Sequence, residues 1–508
     1  MEFSRKVILL KEPKLCFGYD QQTEFTKDGL TLFGPLDSDQ NPPPMRVGVI
    51  ASQLGLKLYK NWVKSINGYL PPQNTTREHH VGFPGFEAVF GVRWPENPAS
   101  QIIISNQEIL DTIHIQDTHQ AIYKTVSLYE GKIRAHRQEE EQSVDLWFIV
   151  IPEEVYKFGR PNSKVPRTLA KDSPVQMTEA MADRLENQFS LWEEDHDNAE
   201  IYKYEKNFHN QLKARLLDTQ EVIQVVRETT LAPEEFTNAG GRPIRQVQDP
   251  ATLAWNLCVA SYFKSSGRPW RLADVRKGVC YVGLVFKQDV TDRDPRNACC
   301  GAQMFLDSGD GLVFKGAVGP WYVEETGQYH LSYEKAKSLA EMIVAAYKKR
   351  HGYAPGELFI HGKTFIDQYE WQGFCDGVPE ETNVVCIRIQ DEKLFKLYDA
   401  SSRAAPRGTA FLLSPRRGYL WTKGFIPRLQ TYPGWEVPKP LSIEITHGNC
   451  DLELVLNDIM GLTKVNFNAC LYADGDPVTL RFADRVGEIL TAIPDAAKVP
   501  PLPFKHYI

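Results

Sequence analysis

The sequence of 508 residues lacks the patterns that define several large protein classes. None of its apolar runs approaches the roughly 18 residues that a membrane span requires. The N-terminal residues contain a short apolar stretch but no signal-peptide core or cleavage site, so we expect a cytoplasmic protein. The motif G-x-x-x-x-G-K-S/T occurs nowhere, which argues against a P-loop nucleotide-hydrolysing site.

Paired cysteines and an excess of positive charge are also missing. The nine cysteines form no C-x-x-C pair, which predicts small buried side chains in a reducing compartment, not a zinc site or a disulfide framework. The formal net charge of −7 argues mildly against a freestanding nucleic-acid binder, which usually has a basic balance. Net charge conceals local distribution, however. Acids cluster at 139–141 and 193–197, whereas residues 203–215 contain four basic side chains and one acid.

The first half of the chain alternates between strand-like and helical patterns. Residues 46–52, 86–94 and 144–152 have the apolar runs of strands, and residues 108–133 have helical periodicity. The last of these strands is continuously apolar, which is typical of a parallel strand buried on both faces. Alternating strands and helices predict a doubly wound α/β unit. The polar segment at 160–200 is predicted to be an insertion or a surface excursion.

The second half begins with three consecutive strand patterns, at 279–286, 300–307 and 311–319. A helix predicted at 332–352 and a strand at 357–363 follow. A three-stranded meander, a helix and a strand, in this order, are typical of an RNase H-like fold. Further strands are predicted at 383–390, 409–414 and 441–448, and a further helix at about 450–463.

Four polar residues around the middle of the chain could form an anion-binding site. His209 and Lys213 are four residues apart in a predicted amphipathic helix and therefore share one face. Gln224 lies in the following strand, and Lys264 ends the next predicted helix, which Gly267 is expected to cap. Two cations, an imidazole and an amide suit a phosphate. Taken alone, the signal is weak, and solvated positions on the helix surface explain both lysines better.

The predicted RNase H-like half lacks the acids that cleavage would require. A nuclease of that type holds two Mg²⁺ ions about 4 Å apart with several carboxylates. The strand at 279–286 contains no acid, and the strand at 357–363 ends on Lys363, a cation where a metal would sit. Asp484 is an acid in a predicted helix, but a lone aspartate cannot hold two metal ions. Helix capping or surface charge also explains Asp484.

Several segments, in this order and spacing, resemble a short prokaryotic Argonaute that contains only MID and PIWI domains. They are FHNQLKARLL with IQVVRE, YFKSSGRPWRL, VCYVGLVF, FIHGK, LTKVNFNACLYADGDPVTLRFADRVGEIL and the final YI. The resemblance covers nearly the whole chain. It implies a Rossmann-like MID domain over 1–270, with an N-terminal extension and the polar insertion at 160–200. An RNase H-like PIWI domain over 271–508 follows. Within the family, the chain is most similar to the Argonaute subunit of TIR–APAZ systems.

The resemblance assigns a role to the four polar residues. His209, Lys213, Gln224 and Lys264 match the family positions that hold the 5′ phosphate of the guide strand. The C-terminal carboxylate, here that of Ile508, is implied to bind a Mg²⁺ ion that bridges the first and third guide phosphates. No organic cofactor is implied for this chain.

Further residues are assigned by the resemblance in the second half. Lys464 and Asn468 fall in a stretch that usually touches the guide backbone. The first and third positions of the family's catalytic tetrad fall at about Val285 and Lys363, and Asp484 is placed at the fourth. The glutamate of the tetrad cannot be placed. The resemblance therefore implies a PIWI domain that does not cut.

In function, the resemblance implies a sensor subunit of prokaryotic immunity. It would bind a 5′-phosphorylated short guide RNA and recognise complementary single-stranded DNA. It would then activate a TIR–APAZ partner that hydrolyses NAD and causes abortive infection. The two chains are expected to form a heterodimer that assembles into a higher oligomer on activation. A partner with a Sir2 or nuclease effector domain is the alternative within the family.

Two other functional classes stay open from the residues alone. The first is a metal-dependent, guide-directed nuclease that uses non-standard acids such as Asp307, Asp310 and Asp484. The second is a structural α/β protein that binds no nucleic acid, in keeping with the negative net charge.

Overall fold

The computed structural model describes the following residues: 4–40, 44–72, 80–139, 143–186, 193–288, 297–306, 311–320, 322–323, 327–398, 400, 403–494 and 502–508. The strands within them are β1 Lys6–Leu9, β2 Leu15–Cys16, β3 Gln22–Thr23, β4 Val47–Ala51, β5 Ser100–Ile103, β6 Leu146–Ile151, β7 Ile223–Arg227, β8 Arg271–Leu272, β9 Val279–Gln288, β10 Asn297–Leu306, β11 Gly311–Pro320, β12 Tyr322–Val323, β13 Gln328–Tyr329, β14 Glu357–Gly362, β15 Asn383–Asp391, β16 Thr409–Ser414, β17 Arg417–Leu420, β18 Leu441–His447 and β19 Leu502–Pro503.

The α-helices in the same ranges are α1 Thr26–Phe33, α2 Gln53–Ile66, α3 Phe86–Phe90, α4 Asn106–Ile113, α5 Thr118–Glu139, α6 Glu153–Phe158, α7 Glu179–Glu186, α8 Glu193–Glu200, α9 Phe208–Arg215, α10 Glu228–Leu231, α11 Pro250–Lys264, α12 Tyr333–His351, α13 Gln368–Asp376, α14 Leu452–Leu462, α15 Val478–Arg481 and α16 Ala483–Leu490. None of the helices described combines the length and the apolar character needed to cross a membrane.

The first large sheet contains four parallel strands in the order β5-β4-β6-β7. Strand β6 has the sequence LWFIVI, and all six residues are buried, as the continuous apolar run predicts. Helices cover both faces, with Trp62 and Trp255 in the core on one side and Phe208 in the core on the other. The strands predicted at 46–52 and 144–152 and the doubly wound arrangement are therefore confirmed.

The strand predicted at 86–94 is wrong, because this segment starts with the short helix α3. Phe86 and Phe90 are four residues apart, and their rings lie 4.7 Å from each other on the same face of the helix. Gly85 and Gly91 flank the helix with φ angles of 115° and 69°, which glycine adopts readily. A short apolar run fits the spacing of a strand or of a helix equally well. The two flanking glycines limit this segment to a single helical turn.

The end of α11 also differs from the expected glycine cap. Ser266, with a φ angle of 77°, is the residue in the left-handed conformation, and the N–H of Gly267 bonds to the carbonyl of Tyr262 at 2.9 Å. A Cβ atom at Gly267 would lie 2.4 Å from the Tyr262 ring. Glycine is therefore needed here for close packing and not for its backbone angle.

The second large sheet has ten strands in the order β1-β16-β17-β18-β15-β14-β9-β10-β11-β19. Strands β9, β10 and β11 form the predicted antiparallel meander, and β14 lies parallel to β9 after the long helix α12. One face packs against α12, whereas α14 and α16 contribute to the core on the other face. The predicted order of meander, helix and strand is confirmed.

The strands of the N-terminal segment pair with the second half of the chain. Strand β1 pairs with β16 at the edge of the ten-stranded sheet, whereas β2 pairs with β8 in a separate three-stranded sheet that also contains β3. The division at residue 270 stays a prediction. A pairing between strands about 400 residues apart leaves no local trace in the sequence.

The predicted polar insertion at 160–200 contains the helices α7 and α8. Its small core includes Met177, Ala182, Ala199 and Tyr202. The Tyr202 hydroxyl donates to the carbonyl of Met177 at 2.7 Å and accepts from Gln120 of α5 at 3.1 Å. The segment is therefore packed onto the first domain.

Candidate nucleic-acid interface

The four polar residues that the sequence singles out lie together around one pocket. The pocket has a volume of about 250 Å³ and lies where the two large sheets meet. Asn207 caps α9, and the four-residue spacing of Phe208 and Leu212 buries the other side of this helix. The residues that line the pocket are His209, Asn210, Lys213, Gln224, Lys264, Asn468, Arg485, Glu488, Ile489, Tyr507 and Ile508.

Two lysines in this pocket are buried, and both donate hydrogen bonds to oxygens of the chain itself. Lys213 is 3% exposed, and its Nζ donates to the main-chain oxygens of Tyr507 and Ile508. Lys264 is 1% exposed, and its Nζ donates to the carbonyl of Ile223 at 3.1 Å and to Oε1 of Gln224 at 2.7 Å. In the described part of the chain, neither forms an ion pair with an acidic side chain. Lys264 has only neutral partners there, and a buried charge without a countercharge is costly, so the pocket is suited to an incoming anion.

Burial has a strong effect on both ammonium groups. Desolvation lowers the pKa of Lys264 to about 7. The pKa of Lys213 is held well below its usual range, first by desolvation and then by the charges of Lys264 and Arg485. In the empty pocket both lysines therefore lose their protons more readily than lysines in water. An anion that enters the pocket would favour the charged form of both side chains.

His209 lies at the mouth of the pocket on the open side of α9. Its Nδ1 is 3.3 Å from Oδ1 of Asn210. Desolvation in the cleft and the charge of Lys213 lower the pKa of the imidazole, so the ring is neutral at pH 7. A neutral accessible ring can stack or form a hydrogen bond without adding charge.

Arg485 is a pocket residue that the sequence reasoning missed. It lies on α16, in the second half of the chain, and supplies a third cation to a pocket formed mainly by α9, β7 and α11. Its charge contributes to the lowered pKa values of His209 and Lys213. Only its position directly after Asp484 could have drawn attention to it, since the pocket joins segments more than 200 residues apart.

The two residues predicted to touch the guide backbone have different surroundings. Asn468 lines the pocket. The side chain of Lys464 is 0% exposed, and its Nζ donates to Oε1 of Glu12 and to the carbonyl of Glu24, both at 2.7 Å. Lys464 therefore does not lie in the pocket, and this geometry does not support a contact with a bound strand. Its partner Glu12 comes from the N-terminal segment, which the sequence did not place beside it.

We expect Lys464→Met to destabilise the protein without affecting the pocket. Loss of one partner from a buried ion pair should lower the free energy of unfolding by about 3 kcal/mol. This is the low end of the usual range, because Arg407 still pairs with Glu12 at 2.9 Å. Urea unfolding would measure the loss. A large change in affinity for a 5′-phosphorylated strand in the folded variant would contradict this structural role.

The pocket around Ile508 contains several oxygen atoms of the type that binds Mg²⁺. The pocket offers the main-chain oxygen of Ile508, the amide oxygens of Gln224 and Asn468, and the carboxylate of Glu488, which lies 3.1 Å from Lys287 Nζ. Mg²⁺ requires near-octahedral oxygen coordination and favours anionic ligands and water. Three cationic side chains already line this space. The chain's own residues therefore fit Mg²⁺ only together with the phosphate oxygens of a bound strand.

A second cavity, of about 420 Å³, marks the place of the expected catalytic acids. Lys363 follows β14, and its Nζ lies 2.5 Å from Oδ2 of Asp484 on α16. Val285 is buried in the neighbouring strand β9. The cavity is also lined by Asp391, Lys393, Asp476 and Arg481.

The acids at this cavity do not form a metal cluster among the residues described. Within those residues, the only group of His, Cys, Asp and Glu side chains close enough to share a metal is His330, Asp367 and Glu370 at the start of α13. Glu370 there already accepts from the main-chain N–H groups of Leu331 and Asp367. The alternative acids Asp307 and Asp310 lie outside the described residues.

Comparison with known proteins identifies the fold. No protein-family model matches the sequence, and no curated protein matches it. Among solved structures, the Argonaute of Clostridium butyricum bound to a guide DNA with a 5′ deoxycytidine and a 19-mer target DNA is similar, with a TM-score of 0.60. The chain has an Argonaute fold.

The similarity covers nearly all of this chain but only part of the Clostridium protein. The match covers 96% of this chain and 53% of the Clostridium Argonaute, at 14% sequence identity. The chain thus spans about half the length of that protein. The predicted fold class, a Rossmann-like domain followed by an RNase H-like domain, is confirmed.

Proposed function

We propose that the chain binds the 5′ phosphate of a short guide strand and uses this guide to recognise complementary single-stranded DNA. The observation that carries the proposal is the pair of buried lysines, Lys213 and Lys264, which lie in one pocket and, among the described residues, have no acidic side chain as an ion-pair partner. The Argonaute fold supports the proposal, because the similar Clostridium protein holds a guide and a target DNA. Following the sequence resemblance, we propose that the guide is RNA.

In this proposal the terminal phosphate enters the pocket as an additional countercharge. The ammonium group of Lys264 turns from Ile223 and Gln224 to phosphate oxygens, Lys213 donates to the same phosphate, and Arg485 adds a third positive charge. The amide of Gln224 donates a hydrogen bond, and the neutral ring of His209 packs against the first nucleotide. A Mg²⁺ ion held by the carboxylate of Ile508 and by guide phosphates would supply further neutralisation. A 5′-hydroxyl strand offers no such charge, so the pocket selects phosphorylated guides.

We propose further that the chain does not cut the target. The support is the cavity at Lys363, where a cation and a buried valine occupy positions that a two-metal centre would need for acids. The Lys363 ammonium opposes a divalent ion in the same place by direct repulsion.

We expect guide-loaded protein to leave a complementary labelled target intact with Mg²⁺ or with Mn²⁺. Denaturing gels after long incubation would show this, with EDTA samples as the reference. The same samples report guide retention, which we expect to weaken but to persist in EDTA because the lysines remain. Cleavage at one defined site with either metal, absent in EDTA, would favour the alternative of a nuclease with non-standard acids.

A guide-binding chain that does not cut needs an effector, and we propose that a TIR–APAZ partner supplies it by hydrolysing NAD. The support is the sequence resemblance to the Argonaute subunit of TIR–APAZ systems. We propose a heterodimer that assembles further when the target is bound, in prokaryotic immunity. Co-purification with the product of an adjacent reading frame, followed by an NAD assay with matched and scrambled target, tests this step. A partner with a Sir2 or nuclease domain would give a different product in the same assay.

A further inference from the structure

We propose that a cavity of the first domain, apart from the 5′-phosphate pocket, binds a nucleoside 5′-monophosphate, with the phosphate on Arg242 and Arg245 and the base against α2. The cavity has a volume of about 960 Å³, within the usual range of small-molecule sites. It lies between α2, the first turn of α11 and the segment at 230–248 that follows β7. A nucleotide bound there is distinct from the guide and from the target.

The cavity and the 5′-phosphate pocket lie at opposite ends of the same two elements. Gln224 and Lys264 of the pocket come from the start of β7 and the end of α11. Thr230 and Pro250 of the cavity follow β7 and begin α11. Because α11 spans roughly 20 Å, both sites can be occupied at once. Ligands of open α/β sheets usually bind beyond the carboxyl ends of the strands, and the cavity lies at that end of β7.

Two arginines line the cavity without a countercharge. Arg245 Nη1 donates to Oγ1 of Thr230 at 2.6 Å. Among the described residues, neither Arg242 nor Arg245 forms an ion pair with an acid. Desolvation, and next the charge of Arg227, lower the pKa of the Arg245 guanidinium. A phosphate would supply the anion that both arginines lack and would accept charge-assisted hydrogen bonds from them.

The loop that carries the arginines is held in shape by its own hydrogen bonds. The side chain of Asn238 accepts from the N–H of Gly240 at 2.9 Å and from the N–H of Arg242 at 3.2 Å. The N–H of Ile244 donates to the carbonyl of Phe236 at 2.9 Å. The backbone around Arg242 is therefore ordered before a ligand enters, which lowers the entropic cost of binding.

The rest of the lining favours a nucleotide over a simple anion. An apolar wall, against which a base can lie, is formed by Leu58, Trp62, Leu70, Leu231 and Leu253. Glu234 and Glu235 also line the cavity and can accept hydrogen bonds from ribose hydroxyls. The amides of Asn61, Gln246 and Gln248 can bond to the polar edge of a base. A nucleotide uses all of these groups, whereas inorganic phosphate uses only the arginines.

The test is equilibrium dialysis of AMP against full-length protein saturated with a 5′-phosphorylated guide, which fills the phosphate pocket. We expect AMP to bind more tightly than adenosine or inorganic phosphate. Arg242→Met and Arg245→Met should each weaken AMP binding about ten-fold and leave adenosine binding unchanged. Arg417→Met, at an exposed position of β17, is the matched control and should have little effect.

A variant at the other side of the cavity tests the place of the base. Ser65→Trp, on α2, fills part of the cavity without a change of charge and should weaken AMP and adenosine alike. Melting curves show that each variant is folded. Equal affinity for AMP and adenosine, or the same loss in Arg417→Met as in Arg245→Met, would overturn the site.

The double variant Lys213→Met, Lys264→Met separates the cavity from the guide pocket. It lacks both lysines proposed to hold the guide, so AMP that binds it without a guide must use other groups. We expect its AMP affinity to equal that of the guide-loaded protein. Loss of AMP binding in the folded double variant would place the nucleotide in the phosphate pocket and overturn the cavity site. Failure of the unmodified protein to retain guide would instead count against the proposed function alone.

Discussion

Replacing Lys213 and Lys264 together with methionine should lower affinity for a 5′-phosphorylated guide about a hundred-fold or more. Each hydrogen bond to a charged partner is typically worth about 1.5–3 kcal/mol, and the two lysines approach the same phosphate. Affinity for the same strand with a 5′ hydroxyl should change little, because that strand lacks the charge that both lysines recognise. Filter binding with the two forms of one labelled strand measures the ratio directly.

The controls exploit the burial of both lysines. Methionine matches the length of the aliphatic part of lysine, so the double variant keeps the packing of α9 and α11. It removes two buried charges but also leaves their buried oxygen partners without donors, so a melting curve is needed to show that the double variant is folded. Lys57→Met, at an exposed position of α2, is the control for loss of positive charge. A preference for 5′ phosphate that survives in a folded double variant would refute the pocket assignment.

Affinity for a 5′-phosphorylated guide should also decline as the pH rises above about 7. Desolvation lowers the pKa of Lys264 to about 7 in the free protein, and a bound phosphate favours its charged form and raises that pKa. Above pH 7, binding must therefore take up a proton, and affinity should fall by up to about ten-fold per pH unit. The phosphate stays largely doubly charged over this range, since its second pKa is about 6.

The stability of the guide-free protein should have the opposite pH dependence. An unfolded lysine has a pKa of about 10.4, so between pH 7 and pH 10 the unfolded chain binds the proton that folded Lys264 has lost. Because the unfolded state binds more protons, the contribution of this group to stability rises with pH across that window and is constant below it. In Lys264→Met this rise should be smaller. An affinity that stays constant from pH 7 to pH 9.5, or an equal decline for the 5′-hydroxyl strand, would exclude Lys264 as the titrating group.

The elements that the sequence predicted well are those with a strong local signal. The buried run of β6 and the meander of β9 to β11 are long enough to reveal their period. The segment at 86–94 was predicted wrongly, since five apolar-rich residues between two glycines fit a strand or a helical turn equally. Strand β1 was not predicted at all, because its four residues are defined by pairing with β16 near the other end of the chain.

The candidate site shows the same contrast between local sequence signals and contacts between distant segments. His209, Lys213, Gln224 and Lys264 were grouped from the sequence as a possible anion site, and the family resemblance then assigned that site to the guide phosphate. Arg485 was missed, since its place in the pocket depends on how α16 packs against α9. The family resemblance assigned Lys464, together with Asn468, to the guide backbone. In the structure Lys464 is buried, and its ammonium group pairs with Glu12.

Helix α16 carries Asp484 and Arg485 as consecutive residues, one facing the cavity at Lys363 and the other the pocket at Lys213. A small rotation or shift of this helix would therefore change the cavity at Lys363 and the pocket at Lys213 together. If guide and target each prefer the same position of α16, the free energy by which the guide improves target binding must equal that by which the target improves guide binding. Protein on a matched target should then bind its guide more tightly by the same factor. A single helix of eight residues could in this way make recognition of the correct sequence self-reinforcing.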